Sequence, residues 1–449
     1  FVKGVKQTSI SLNGSWLFTN KIDSPFDGTK KTDTQWHTIN VPSEWYMESF
    51  QVEAGKWAGY YKEFSLPSDW INQKTLLRFG AVESECQIFL NGKYVGEHIG
   101  SMTQFEKELT PYLSLGKNQL IVYIRSESLA SEISKISHYA KHQVGGILRG
   151  VELISVPQTY IDDLFCDAKL SDNLDRGTLN IHVSLSGKQK NQKIEVTVKE
   201  RGIEGLSMNE KVVYNEKMRC KQLNPIIIDT PKLWHAETPF LYTVEVALFE
   251  DNEKTEVIKK DFGFRKIDIK GNILYVNNQP VKLRGVSRHD ISAYDGRAIK
   301  DTASLHRDIE QLRNANCNFI RTSHYPPDSY MLDLCDRYGI FVEDEAPVCW
   351  ESGKDSYDRI HQIFYSFKSM VTRDRSHPCI LLWSLGNESD WKPKFYNSLL
   401  LAKELTPDIP VKFSHSETHG IIKATDIGTK HYPGWKGLMA FENYFRPII

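Results

Sequence analysis

The chain is poor in cysteine. Seven are scattered over 449 residues, at positions 86, 166, 220, 317, 335, 349 and 379, and no two form a Cys-x-x-Cys pair. That argues against a zinc ribbon or a disulfide framework and leaves buried free thiols as the expectation. An excess of either charge is also missing. Lys plus Arg number 56 against 57 for Asp plus Glu, a net charge of -1, with no basic run. Neither a nucleic-acid partner nor a polybasic membrane contact is therefore expected. No apolar run approaches the roughly 18 residues that span a bilayer, so no transmembrane helix is expected. The chain opens Phe1-Val2-Lys3, without Met or an apolar signal core, and reads as a processed product or a trimmed chain. Periplasmic, secreted and cytoplasmic locations all fit. Internal repeats and low-complexity segments are absent.

At about 150 residues per domain the length predicts three domains, each able to bury a core. Aromatic residues make up 11% of the chain, with 10 Trp, 20 Tyr and 21 Phe, which fits β-rich cores or sugar-facing surfaces. Residues 1–157 read as an all-β sandwich. Apolar runs at Ile10 to Phe18, Tyr60 to Phe64, Thr75 to Phe79, Gln87 to Leu90 and Gln119 to Ile124 are separated by turn residues, and Asn91-Gly92 signals a hairpin. Residues 158–268 continue the alternation, as in Lys193 to Val198. This stretch has the size of an immunoglobulin-like sandwich but lacks a Cys-Trp-Cys signature.

From 269 to 449 the pattern becomes strand-helix alternation. Strands are expected at Val281 to Val286, Phe319 to Arg321, Ile340 to Val342, Cys379 to Leu385, Val411 to Phe413 and around Asp426-Ile427. Between them lie helical stripes, such as Leu305, Ile309 and Leu312, or Ile360, Ile363, Phe364, Phe367 and Val371. The pattern predicts a (β/α)8 TIM barrel, left incomplete because Arg446 to Ile449 reads as the start of a seventh strand. Catalytic groups of such barrels sit at the carboxyl ends of strands. Here those ends carry Arg288-His289-Asp290, Arg321-Thr322-Ser323-His324, Glu343-Asp344-Glu345, Asn387-Glu388 and His431-Tyr432. Four successive strands offering Arg, His and carboxylate at one end predict a polar pocket. His415-Ser416-Glu417-Thr418-His419 lacks the helical His-Glu-x-x-His order of a zinc protease and reads as a loop at the barrel mouth.

Leu382-Trp383-Ser384-Leu385-Gly386-Asn387-Glu388-Ser389 resembles the acid/base signature of glycoside hydrolase family 2, the β-galactosidase and β-glucuronidase family. Arg284 to Asp290, Ile320 to Pro326 and Cys335 to Ile340 running into Asp344-Glu345-Ala346 resemble further blocks of that family. Leu12 to Trp16 and Gly145 to Arg149 are similar to its sugar-binding jelly roll. The resemblance implies a jelly roll, an immunoglobulin-like β-sandwich and a catalytic barrel, in that order. It implies retaining hydrolysis of terminal β-linked sugars by two carboxyl groups roughly 5–5.5 Å apart. Glu388 matches the acid/base, Asn387 the contact to the sugar 2-hydroxyl, and His289 and His324 sugar-contacting histidines. Arg321 and Tyr432 match residues that orient the nucleophile. An oligo- or polysaccharide or other glycoside is the implied substrate, no cofactor is called for, and a homo-oligomer stays open.

Three departures qualify the match. Large bacterial β-galactosidases carry a magnesium-ligating Glu-x-His after the third-strand Asp-Glu-Ala, where this chain has Cys349-Trp350-Glu351, so no metal site is expected. The family's Asp before Gly-Gly-Ile is missing from His138 to Gln143. The nucleophile, a Glu at the end of strand seven, is expected past Ile449, so residues 1–449 alone are expected to be inactive. A β-galactosidase is the leading reading. A β-glucuronidase or related β-glycosidase and a non-catalytic carbohydrate-binding or scaffold protein are the rivals.

Overall fold

The computed structural model describes residues 9–22, 34–187, 192–206, 210–219, 223–414 and 424–429. The first sandwich pairs a four-stranded sheet with an eight-stranded one. Ser9–Ser11, Val151–Val156, Lys74–Phe79 and Phe105–Glu108 form the first, and the second is centred on Trp57–Ser65, Lys117–Arg125 and Val82–Leu90. Alternate residues from both sheets, among them Trp16, Phe18, Tyr60, Leu77, Ile88 and Val122, fill a closed core. The expected hairpin is present: Asn91 and Gly92 both take positive φ, +52° and +76°, and set Leu90 opposite Lys93.

The second sandwich joins the three-stranded sheet of Tyr160–Leu170, Arg176–Ser186 and Ile226–Asp229 to a four-stranded one. The latter holds Lys211–Arg219, Lys193–Gly202, Leu241–Glu250 and Glu253–Phe262. Ile194, Val196 and Val198 face inward, as their period-two spacing predicts. This domain covers the amino-terminal ends of the barrel strands. Its fully buried Trp234 donates Nε1–H to the Asp336 carbonyl at 2.8 Å. Gly339, at φ +73°, lies so close to Ala236 that a Cβ there would sit 2.1 Å from its carbonyl oxygen.

The third region is a run of parallel strands wrapped by helices. In chain order these are β1 (Gly285–Arg288), α1 (Ala303–Asn314), β2 (Phe319–Thr322), α2 (Ser329–Tyr338), β3 (Phe341–Glu345), α3 (Tyr357–Asp374), β4 (Ile380–Ser384), α4 (Tyr396–Leu405) and β5 (Val411–Lys412). The strands pair in that order, all parallel. Helix α2 starts on an Asp328 cap and α3 on a Ser356 cap, each accepting a backbone N–H of the first turn. The expected helices are present.

Two strands differ from expectation. Strand one lies four residues later than the apolar run starting at Val281. Asn277 and Asn278 both take positive φ and form a hairpin, which draws Gln279–Pro280 into a small antiparallel sheet with Ile273–Val276 and Ile267–Lys270. Among the described residues, the sixth strand is represented by one parallel bridge, Lys412 to Ile427. Among the described residues, no helix is long and apolar enough to cross a membrane.

Candidate active site

Because β1 to β5 run parallel, their carboxyl ends share one face, and their polar residues meet there. The centre is Glu345, fully buried at the end of β3. Arg321 of β2 donates to both of its oxygens, through Nε to Oε2 at 3.0 Å and through Nη2 to Oε1 at 3.0 Å and Oε2 at 2.7 Å, the forked geometry that suits guanidinium and carboxylate. His324 Nδ1 lies 2.6 Å from its Oε1, and the Ser384 hydroxyl of β4 donates to Oε2 at 2.8 Å. Two positions earlier, Glu343 faces the same interior, 2.6 Å from Lys412 Nζ and 3.3 Å from Arg321 Nε. Two carboxylates thus meet two cations in a buried layer, the arrangement that makes such charges tolerable.

The electrostatics follow from these contacts. Burial alone would raise the Glu345 carboxyl, but Arg321, His324 and Lys412 hold it well below the ordinary range, so it is ionised. Burial would also favour a neutral Arg321, and Glu345 and Glu343 reverse that. His289, half-buried beside His324 with ring centroids 5.3 Å apart, is pushed down to about 4 by burial, with His324 and Arg297 adding to the effect. It is neutral near pH 7. Asp344 points away from this layer. Burial and the neighbouring Asp374 raise its carboxyl well above the usual range.

The loop after β3 and the loop after β4 continue the sheet beyond its regular strands. Asn387 N–H donates to the Val348 carbonyl at 2.8 Å, and Trp350 N–H to the Asn387 carbonyl at 2.9 Å. Glu351 N–H reaches the Ser389 hydroxyl at 2.9 Å. Asn387 is fixed at both ends of its amide, accepting from Arg321 Nη2 at 2.7 Å and directing Nδ2 at Cys349 Sγ, 3.3 Å away. Glu388 follows at φ +41°, half-buried, with its Oε2 accepting the Trp350 indole N–H at 2.7 Å. Tyr139 arrives from the first sandwich. Its ring lies within 5.5 Å of those of His289, His324 and Trp350, and its hydroxyl is 3.7 Å from Cys349 Sγ.

The magnesium position of large bacterial β-galactosidases does not fit these residues. Glu351 is buried, with Oε1 taking Lys394 Nζ at 2.6 Å and Oε2 taking Arg359 Nη1 at 2.6 Å. Burial pushes the Cys349 thiol up to about 11. A neutral thiol and a doubly paired carboxylate are poor ligands for a hard cation. Elsewhere among the described residues, Asp336, His377 and Cys379 group closely enough to hold a metal. They lie at the amino-terminal end of the barrel and are bonded to one another: His377 Nδ1 is 2.6 Å from Asp336 Oδ2, and Cys379 N–H donates to Oδ1 at 2.9 Å.

Of the residues singled out from sequence, the structure brings His289, Arg321, His324, Asn387 and Glu388 to one barrel face. Tyr432 lies outside the described residues, as does the run His415 to His419. Sequence reasoning missed Tyr139, Trp350 and Lys412 as members of the site. Lys412 carries the same signal as the others, a charged residue closing a short apolar strand.

Family models match the chain in three consecutive stretches: the glycosyl hydrolases family 2 sugar binding domain over 51–157, glycosyl hydrolases family 2 over 159–265, and its TIM barrel domain over 267–447. A β-galactosidase of Leuconostoc mesenteroides is 29% identical over 91% of this chain and 43% of its own length. One from Vibrio cholerae is 30% identical over 93% and 44%. The chain therefore spans less than half the length of these curated relatives. Among solved structures, a Bifidobacterium dentium β-glucuronidase complexed with coumarin-3-O-glucuronide superposes with a TM-score of 0.85 at 23% identity, covering 99% of this chain and 83% of the other. A Bacteroides vulgatus β-glycosidase gives 0.81 at 25%, covering 98% and 58%. With jelly roll, immunoglobulin-like sandwich and barrel in this order, and a family model on each, the chain belongs to glycoside hydrolase family 2.

Proposed function

We propose that the protein works as a retaining exo-β-glycosidase on terminal β-galactosides, with domains dividing near residues 157 and 268. The observation that carries this reading is the Asn387-Glu388 pair at the end of β4, with Asn387 tied through Arg321 to buried Glu345. In this reading Glu388 protonates the leaving oxygen and then, as a carboxylate, takes a proton from the attacking water. Asn387 holds the sugar 2-hydroxyl, and His289 and His324 bind the ring. Arg321 and Tyr432 orient the second carboxylate, which strand seven supplies. Galactose is favoured because the β-galactosidases of Leuconostoc mesenteroides and Vibrio cholerae align at 29–30% identity over more than nine-tenths of this chain.

The test is Glu388→Gln in the full-length protein. Turnover of substrates with poor leaving groups falls far more than turnover of activated aryl glycosides, because only the former need a proton. Equal losses on both would remove Glu388 from the acid/base role. Aryl β-galactoside and aryl β-glucuronide assayed side by side decide between the two sugars.

A further inference from the structure

Glu388 is held by a residue that the family comparison does not assign. Trp350 and Glu388 are both non-glycine residues in the left-handed region, at φ +50° and +41°, and they face each other across the paired loops after β3 and β4. Such backbone is sustained only where the surroundings over-determine it. Here they do: Trp350 N–H is bonded to the Asn387 carbonyl, the next residue's N–H to Ser389, and the Asp390 N–H back to the Glu351 carbonyl at 3.0 Å. This backbone aims the indole N–H at Glu388 Oε2, 2.7 Å away. The ring is held from the other side by the first sandwich, with His138 edge-on at 4.5 Å and Tyr139 tilted at 5.2 Å between ring centroids.

We infer that Trp350 is the positioning residue of Glu388, braced by Tyr139 and His138, so that the docking of two domains orients the acid/base. The inference rests on the reading of Glu388 given above. With Oε2 accepting from the indole, the transferable proton sits on Oε1. It passes to the glycosidic oxygen as the carbon–oxygen bond breaks and the second carboxylate bonds the anomeric carbon, and the Glu388 carboxylate left behind keeps the indole hydrogen bond. A neutral N–H donor stabilises that carboxylate without adding charge.

The experiment compares Trp350→Phe with wild type and Glu388→Gln in the full-length protein. Trp350→Phe keeps a ring for Tyr139 to pack on and loses the N–H. Its rate on a poor-leaving-group β-glycoside falls about tenfold, a fraction of the roughly 10²–10⁴-fold that a general acid contributes because the acid itself remains, and less on an activated aryl glycoside. The basic limb of its kcat/KM pH profile moves to higher pH, because the ionised carboxyl has lost a donor. Equal losses on both substrates with an unmoved limb would overturn the inference and leave Trp350 as packing. If Glu388→Gln itself shows no leaving-group dependence, the acid/base reading fails and takes the inference with it. A second readout needs no Trp350 variant. Indole emission of wild type follows pH through the ionisation of Glu388, and Glu388→Gln removes that component. Identical titrations of the two proteins would also overturn it.

Discussion

Arg321 Nη2 lies 2.7 Å from Glu345 Oε2 and 2.7 Å from Asn387 Oδ1. One guanidinium therefore connects a fully buried carboxylate on β3 to the residue that precedes Glu388 on the loop after β4. The charge layer beneath the pocket and the loop that carries the candidate acid/base share one side chain.

Removing that side chain breaks both. Arg321→Ala leaves Glu345 with fewer cations in the barrel interior, and loss of one partner from a buried pair destabilises by about 3–5 kcal/mol. Arg321→Lys keeps the charge but not the fork, so it recovers part of the stability and little of the sugar affinity. Urea midpoints and binding of a non-hydrolysable galactoside measure the two effects. The pH sign follows from Glu345. Its folded-state pKa is depressed, so its contribution is present above its ordinary 4.5 and is lost as pH falls below that toward the folded value. Wild type thus loses stability on acidification more steeply than Arg321→Ala.

Activity of the full-length protein is expected to survive exhaustive EDTA at the strand-three position. Glu351 spends both oxygens on Lys394 and Arg359. Glu351→Ala should therefore act through folding, leaving the fully buried Lys394 ammonium without its closest carboxylate and lowering stability by about 3–5 kcal/mol. An activity loss after EDTA that Mg²⁺ restores, together with an unchanged Glu351→Ala melting point, would show that a metal site has survived in altered form.

The polar strand ends were legible in the sequence because parallel strands deliver their carboxyl ends to one face, whatever the details of packing. Arg321, His324, Asn387 and Glu388 needed only that rule. Tyr139 did not follow from it, since it sits 210 positions from Cys349 and meets it only when the first sandwich docks on the barrel. Trp350 was visible only as part of an altered metal motif. Its role depends on a left-handed backbone that no apolar pattern encodes. Val281 to Val286 is apolar enough to read as a buried strand, so the pattern predicts an earlier start for strand one than the observed Gly285. The Asn277-Asn278 turn takes up the preceding residues, and Val281 and Leu283 pack against the core from outside the sheet.

Arg149 makes the docking itself testable. It is buried at the junction of first sandwich and barrel, with Nη2 2.9 Å from Asp290 Oδ2 and 2.7 Å from the Pro326 carbonyl. Burial would raise the Asp290 carboxyl, and Arg288 and Arg149 together hold it low. Arg149→Met keeps much of the volume and removes one of those cations, at a cost of about 3 kcal/mol. Calorimetry should then resolve separate melting of the first sandwich and the barrel. A single transition shifted as a unit would mean that the remaining contacts, among them Lys300 with Glu48 and Arg359 with Glu132, couple the two without Arg149.

Glu83 gives the alkaline side of the stability profile. It is fully buried in the first sandwich, and burial raises its carboxyl from 4.5 to about 8, with Ser101 and Arg297 offsetting only part of that. The folded state therefore keeps the proton through a range in which the unfolded chain has released it. Stability from this group is complete below pH 4.5 and declines as pH rises toward 8, by about 1.4 kcal/mol per pH unit. Glu83→Gln is neutral throughout and resembles the protonated acid in shape, so it removes the decline. Urea midpoints at pH 5, 7 and 9 should show the variant gaining on wild type as pH rises, most of all at pH 9. Parallel pH profiles for the two proteins would mean that Glu83 is ionised in the fold, with Arg297 as its counter-charge.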